Sequence, residues 1–212
     1  NMGLSVRQIE KGINDCTEQE VAEMLQQREN VLQSQLHEQQ MHLQGLQNLR
    51  VALRLCEQGE WSVRTVPDVW YLPHTIGKEF VQDSRIYDQL PQWLDWMPVV
   101  TSAQIVRGND AHAERMEWGL GLEQAEAALL GFAPQEPAQL LHLGRVLEIY
   151  CSWEIPAEHG SEKGLYQYCM ERARALNLVP EPVMFRRVFC YTEKGGTKQV
   201  HNVLRVPVKM AE

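Results

Sequence analysis

The sequence predicts an α+β protein in which a long N-terminal helix precedes a duplicated strand-helix-strand-strand domain. Two observations carry this prediction. Residues 17–59 contain no proline and place apolar side chains at a heptad spacing, whereas residues 61–212 carry short apolar runs separated by turn signals. Because helices and strands have different apolar periods, the change near residue 60 indicates a boundary between two kinds of structure.

Composition limits the class of protein. The 212 residues are 44% hydrophobic, which suits one large globular domain or two modest ones. The net charge of −8 argues against a chain that by itself binds nucleic acid by electrostatics. The five cysteines form no CxxC pair, and neither a leader nor an apolar run of about 18 residues occurs. We therefore expect a cytoplasmic protein with reduced thiols and no membrane span.

The long helix begins with a capping box, Thr17 with Glu20, and ends at Gly59. Its apolar stripe is too narrow to fold alone. The stripe either packs along the chain's own domain or pairs with a second copy, parallel or antiparallel. We predict a homodimeric coiled coil. The predicted dimerisation residues are Val21, Leu25, Leu32, Leu36, Leu43, Leu46 and Leu53.

The rest of the chain predicts the same order of elements twice, with the strands in one curved sheet and both helices on one face. Pro73 is expected to end the first strand, and Pro98 the first helix. The first set is a strand at 63–72, a helix at 86–97, and strands at 104–108 and 114–122. The second is a strand at 145–153, a helix at 163–176, and strands at 184–192 and 200–208 around a Gly195-Gly196 turn.

Three short stretches carry a resemblance to a known family. GLSVRQI at 3–9 resembles the entry to the last helices of the MerR DNA-binding domain. VPDVWYL at 66–72 resembles the first strand of the effector-binding domain of MerR-type transcription regulators, also called gyrase-inhibitor-like. NVLRVPV at 202–208 resembles that domain's closing strand.

The resemblance implies a division into three parts. Residues 1–16 would be a remnant of the DNA-binding domain, residues 17–59 the dimerisation helix, and residues 61–212 the effector-binding domain. It also implies a winged helix-turn-helix before Gly3, through which promoter DNA would be bound and which this chain lacks. The start at Asn1 rather than Met fits that expectation.

Aromatic residues are frequent after residue 60 and indicate a cleft for a small hydrophobic or aromatic ligand, although aromatics also fill cores. Strand alternation places several of them beside polar residues. The predicted ligand-binding residues are Tyr71, Trp93, Trp96, Glu117, Trp118, Glu148, Tyr150, Trp153, Arg187, Phe189 and Tyr191.

Glu148 leaves two interpretations open, because a carboxylate within a strand is costly to bury unpaired. It forms a structural salt bridge, with Arg187 as a candidate partner, or it faces a ligand. Multidrug-type relatives carry an acidic residue before an Ile-Tyr pair in the penultimate strand, where this chain has Arg187 before Val188-Phe189. A neutral or partly anionic aromatic ligand is therefore as compatible with this sequence as a lipophilic cation is.

The leading hypothesis is a sensor module without enzymatic activity, cofactor or metal. Stand-alone relatives of the domain suggest an alternative, a hydrolase using Glu148 with Tyr150 or Tyr191 as acid–base groups. The long helix and the 3–9 motif argue against the hydrolase. A third hypothesis is a ligand-free scaffold that docks on another protein.

Overall fold

The computed structural model describes residues 17–109, 113–155 and 162–210. The segment interpreted as a remnant of a DNA-binding domain, residues 1–16, lies outside them. The chain divides into two compact units, Asn1–Leu43 and Gln44–Glu212. The first helix, α1, spans Glu18–Gln58 and contributes to both units.

The ends of α1 have the predicted caps. The Glu20 carboxylate accepts hydrogen bonds from the Thr17 backbone N–H (2.7 Å) and hydroxyl (2.9 Å). Gly59 follows the helix with φ of 66°, a left-handed conformation that glycine adopts without strain. Five of the predicted dimerisation residues have side chains that are 42–59% exposed: Leu25, Leu32, Leu36, Leu43 and Leu46. Val21 and Leu53 are half-buried.

The second unit contains an antiparallel sheet of ten strands among the described residues, in the order β1-β7-β10-β9-β4-β5-β2-β3, with β6 paired to β2 and β8 to β10. The strands are β1 Trp61–Thr65, β2 Val69–Ile76, β3 Glu79–Phe80, β4 Thr101–Gly108, β5 Ala113–Glu123, β6 Gln139–Leu141, β7 Arg145–Ile155, β8 Leu178–Pro180, β9 Val183–Lys194 and β10 Thr197–Met210.

Three further helices are α2 (Ser84–Asp95), α3 (Gln124–Leu129) and α4 (Glu162–Ala175). Helix α2 packs through Ile86 and Trp93 against a cluster containing Leu72 and Leu120. Helix α4 packs on strand residues that include Leu147, Met184 and Leu204. The strand register places the residues that contact α2 and those that contact α4 on the same face of the sheet. The predicted duplicated architecture, with both helices on the same face, is confirmed.

Several predicted boundaries differ from the structure. The strand expected at 63–72 is two strands, because β1 pairs with β7 whereas β2 pairs with β5, far along the sheet. Strand β2 continues through Pro73, where the pairing register shifts between Pro73 and Thr75 and so accommodates the missing N–H. Helix α2 contains Pro91 and ends at Asp95. Strands β3, β6 and β8 and helix α3 were not predicted, since each is too short for a periodic signal.

The sheet face opposite α2 and α4 is covered in part by the C-terminal segment of α1. The Cys56 thiol on that segment donates a hydrogen bond to the Asn202 carbonyl at 3.2 Å. A Cβ on Gly45 would lie 3.1 Å from Val99, so the glycine permits a close approach of the helix backbone. A cavity remains beneath this segment.

Candidate functional site

The candidate site is a cavity of about 280 Å³ within the second unit. Helix α1 contributes Gly45, Asn48, Leu49, Ala52 and Leu55 to its lining, and the segment 97–100 contributes Met97, Pro98 and two valines. The sheet contributes Tyr150, Phe189 and Val203 together with charged side chains. The cavity therefore has mostly apolar walls on the helix side and a charged floor on the sheet side.

The pairing of the strands brings the side chains of the cavity floor together. Arg205 pairs with Glu148 across β10 and β7, and Val203 pairs with both Tyr150 and Arg187. Because side chains alternate along strands, these residues point to the same face, opposite α2 and α4. The polar floor thus results from the pairing of strands that are distant in sequence.

Five side chains form an ionic network that we call the Arg–Glu cluster: Arg64, Glu123, Glu148, Arg187 and Arg205. The Glu148 carboxylate forms salt bridges with Arg64 Nη2 at 2.7 Å and Arg205 Nε at 2.8 Å. Glu123 Oε1 forms salt bridges with Arg187 Nη1 at 2.9 Å and Arg205 Nη2 at 3.0 Å. Arg187 Nε also donates to the Thr101 hydroxyl at 3.0 Å. Arg205 therefore links the two carboxylates.

Glu148 is held as an anion. Its side chain is only 1% exposed, and burial by itself acts to raise the pKa. The hydrogen bonds and charges of Arg64 and Arg205 outweigh burial, so the pKa of Glu148 lies below its ordinary value. Both of its oxygens are occupied by arginines.

Two buried atoms of the floor find no hydrogen-bond partner among the described residues: Nη1 of Arg205 and Oε2 of Glu126. Burial raises the pKa of Glu126, although the charges of Arg187 and Arg205 oppose that rise. Both atoms are buried, so neither faces the open space of the cavity.

Two aromatic rings stack beside the cluster. The Tyr150 and Phe189 centroids are 6.4 Å apart with an interplanar angle of 13°. Burial, together with the nearby Glu148 charge, raises the pKa of Tyr150 to about 12, so its hydroxyl remains protonated near neutrality. The pair offers a flat apolar surface to the cavity.

Of the eleven predicted ligand-binding residues, Tyr150, Arg187 and Phe189 line the cavity. Glu148 lies below them, within the Arg–Glu cluster. Its arginine partners are Arg64 and Arg205, not the candidate Arg187, because Arg187 pairs with Glu123.

The other seven predicted residues do not line the cavity. Tyr71 is fully buried and donates to the Glu117 carbonyl at 2.9 Å, and the Glu117 carboxylate meets Arg115 at 2.8 Å. Trp93 is buried edge-to-face against Phe132, and Trp96 packs beside that cluster. Arg186 lies 5.4 Å over Trp118, Trp153 packs on the α4 cluster, and Tyr191 is 62% exposed.

The sequence analysis missed Arg64, Thr101, Glu123, Glu126 and Arg205. One signal was available: Arg205 interrupts the apolar run Val203-Leu204-Arg205-Val206 within a predicted strand. A charge in that position requires a partner across the sheet. Glu126 carried no comparable signal, because it lies in a short helix that was not predicted.

The described residues contain no group of three or more His, Cys, Asp or Glu that could hold a metal ion. Their helices include none that is both long and apolar enough to cross a membrane.

No protein-family model matches the sequence, and no curated protein matches it. The chain is similar to a cryo-EM structure of an EcmrR–DNA complex in EcmrR-RPo (TM-score 0.40, 13% identity), covering 99% of this chain and 79% of that one. It is also similar to a crystal structure of the EcmrR C-terminal domain (TM-score 0.41, 12% identity), covering 72% of this chain and 99% of that one. EcmrR is a MerR-family regulator. Similarity at this level assigns no function to the chain.

Proposed function

We propose that the chain is the ligand-sensing and dimerisation portion of a MerR-type transcription regulator and that it binds a small hydrophobic or aromatic molecule. The observation that carries the proposal is the cavity beneath α1, with apolar walls and a buried charged floor. The three sequence motifs that resemble this family support it independently.

The size of the cavity limits the ligand. Drug-sized pockets span about 300–1,000 Å³, and an apolar cavity of about 150 Å³ holds benzene. At about 280 Å³ the cavity suits a ligand with one or two rings. Ring stacking on Tyr150 and Phe189 would supply affinity with little loss of conformational entropy.

The position of α1 offers a route from ligand to regulation. Gly45, Leu49 and Ala52 line the cavity, while Leu46 and Leu53 of the same helical segment belong to the predicted dimer stripe. A ligand that binds two arrangements of this helix with different affinity would shift their populations. The proposal that ligand binding alters regulation at promoter DNA rests on the sequence resemblance.

Ligand binding is tested by calorimetry and thermal shift with a panel of hydrophobic drugs and dyes. We expect Ala52→Leu, which places a larger side chain in the cavity lining, to abolish binding. Ala128→Leu adds the same volume at an exposed position and should leave binding unchanged. The absence of any binding at tens of micromolar, or equal binding by both variants, would contradict the proposal.

Dimerisation is proposed because five leucines of the stripe are largely exposed. We expect Leu32→Glu/Leu36→Glu to lower the dimer's sedimentation coefficient to that of a monomer. The control, Gln27→Glu/Ser34→Glu, adds the same charge on the opposite side of α1 at exposed positions. A monomeric wild-type chain would exclude this part of the proposal.

A hydrolase mechanism is not favoured by the geometry. Glu148 is ionised, so it has no proton to donate, and an arginine binds each of its oxygens, which makes it a weaker base. Of the two tyrosine candidates, Tyr150 lines the cavity, whereas Tyr191 is mostly exposed and does not line it. Turnover of an electrophilic substrate that disappears in Glu148→Gln would reverse this conclusion.

A further inference from the structure

Ion pairs within the Arg–Glu cluster already occupy its two carboxylates. Glu148 binds Arg64 through one oxygen and Arg205 through the other. Glu123 binds both Arg187 and Arg205. The cluster therefore offers a cationic ligand no carboxylate that is free of an arginine.

The remaining carboxylate of the cavity lining, that of Glu126, belongs to the start of α3. Glu123 is the N-cap residue of this helix, and Glu126 is the third helical residue. The Glu126 carboxylate accepts a hydrogen bond from the Glu123 backbone, as in the reciprocal half of a capping box. Its Oε2 is buried. This carboxylate therefore caps the helix and does not present a counter-ion to the open space of the cavity.

The charged side chains at the cavity floor balance one another. Five of them line the cavity and the sixth, Glu148, lies below it within the Arg–Glu cluster. Within the described part of the chain they are three arginines and three glutamates: Arg64, Arg187, Arg205, Glu123, Glu126 and Glu148. When all six are ionised, their charges sum to zero. A charged ligand of either sign would therefore lose its hydration without gaining an unpaired counter-ion, which is costly in a largely apolar site.

We propose that the cavity selects uncharged aromatic ligands and discriminates against cations and anions of the same shape. The apolar walls and the stacked rings of Tyr150 and Phe189 bind the ring of the ligand. The balanced floor supplies no compensation for a charge on it. This inference rests on the proposed ligand-binding function and adds the charge of the ligand.

Arg64 is the cluster member through which this balance can be changed with the least disturbance of the fold. Its side chain is 50% exposed, whereas those of Arg187 and Arg205 are 11% and 4% exposed. Arg64 also lines the cavity. Replacing it with a neutral residue leaves a net negative charge at the floor, so a cation should then be accepted more readily.

The test uses three planar probes that share one phenyl ring and have nearly the same shape. Acetophenone is neutral, benzamidinium is a cation and benzoate is an anion. Each is titrated calorimetrically into the full chain at about pH 8, where carboxyl groups are ionised. We expect acetophenone to bind about tenfold or more tightly than either ion, because only the ions bring an uncompensated charge into the cavity.

The variant Arg64→Gln tests whether charge balance is the cause. We expect benzamidinium to bind about fivefold more tightly than to the wild type, benzoate about fivefold more weakly, and acetophenone equally well. Arg54→Gln removes the same charge at an exposed position of α1 outside the cavity lining and should change none of the three affinities. A general loosening of the cavity would shift all three probes in the same direction.

The outcomes separate the two proposals. Tighter binding of benzamidinium or benzoate than of acetophenone by the wild type, or a parallel shift of all three probes in Arg64→Gln, overturns the charge selection but retains a ligand-binding cavity. Failure of all three probes and of the wider drug panel overturns both proposals.

Discussion

The two repeats of the sheet domain have the same order of elements but opposite surfaces on the face away from α2 and α4. The first, β2-β5-β4, carries Tyr71, Ala103 and Ile105 there. The second, β7-β10-β9, carries Glu148, Arg187 and Arg205. The first repeat thus carries most of an apolar cluster, which Val146 and Phe185 of the second repeat complete, and the second carries most of a charged floor, which Glu123 and Thr101 of the first repeat complete.

Small residues close the face of the first repeat. A Cβ on Gly119 would collide with the Leu72 carbonyl and lie 2.7 Å from the Tyr71 ring. The absence of a side chain lets that ring lie across β5, where its hydroxyl reaches the Glu117 carbonyl. The Tyr71 ring therefore fills this part of the face.

Ion pairs hold the charged side chains of the second repeat together. Arg205 binds Glu148 of the same repeat and also Glu123, which lies at the end of β5 in the first repeat. A duplicated fold can therefore carry mainly apolar side chains on one copy and mainly charged ones on the other.

The largest expected effect concerns the charged repeat. Arg205→Met leaves Glu148 and Glu123 each with one arginine fewer and should cost about 3–5 kcal/mol of the free energy of unfolding, as for other broken buried ion pairs. Arg115→Met removes a mostly exposed arginine of the first repeat and should cost about 1 kcal/mol or less. Equal losses in denaturant unfolding would remove the contrast between the repeats.

The next effect concerns the apolar repeat. Gly119→Ala introduces a Cβ against the Leu72 backbone and the Tyr71 ring and should destabilise the protein by about 2–3 kcal/mol through overpacking. Gly121→Ala is the milder comparison, since its Cβ would meet Ala103 at 3.0 Å. Chemical unfolding measures both, and a larger loss for Gly121→Ala would contradict the geometry.

Lowering the pH should reduce the stability that ionised Glu148 contributes to the fold. Its pKa is lower in the folded state, so its contribution to stability is complete above its ordinary pKa of 4.5 and is lost as the pH falls through the folded value. Glu148→Gln should cost about 2 kcal/mol at pH 7. The difference from wild type in unfolding free energy should shrink towards pH 3; a constant difference would show that ionisation is irrelevant.

The smallest effect is expected at the rim of the cluster. The Arg64 side chain is 50% exposed, so Arg64→Ala should cost about 1 kcal/mol or less despite its short contact with Glu148. A double-mutant cycle with Glu148→Gln measures the coupling between them. A coupling as large as that of Arg205 would place Arg64 among the buried members of the cluster.

Much of the fold followed from local patterns. Thr17 with Glu20, the leucine spacing and Gly59 located α1, and apolar runs with turn residues located the six main strands after residue 68. The candidate site was predicted only in part: Tyr150, Arg187 and Phe189 line the cavity, but Trp93 and Tyr71 belong to cores. Aromatic content predicts packing and binding equally well, so it could not separate them.

The amino-acid sequence by itself determined the main elements, their duplication and the leucine stripe, because these depend on periods of a few residues and on capping groups. Only the tertiary structure decided which arginine meets which glutamate and where space remains. Arg205 is 57 residues from Glu148 and 82 from Glu123. The pairing of β10 with β7 makes Arg205 and Glu148 neighbours, whereas Glu123 lies on β5, three strands away along the sheet, and meets Arg205 only through the tertiary arrangement.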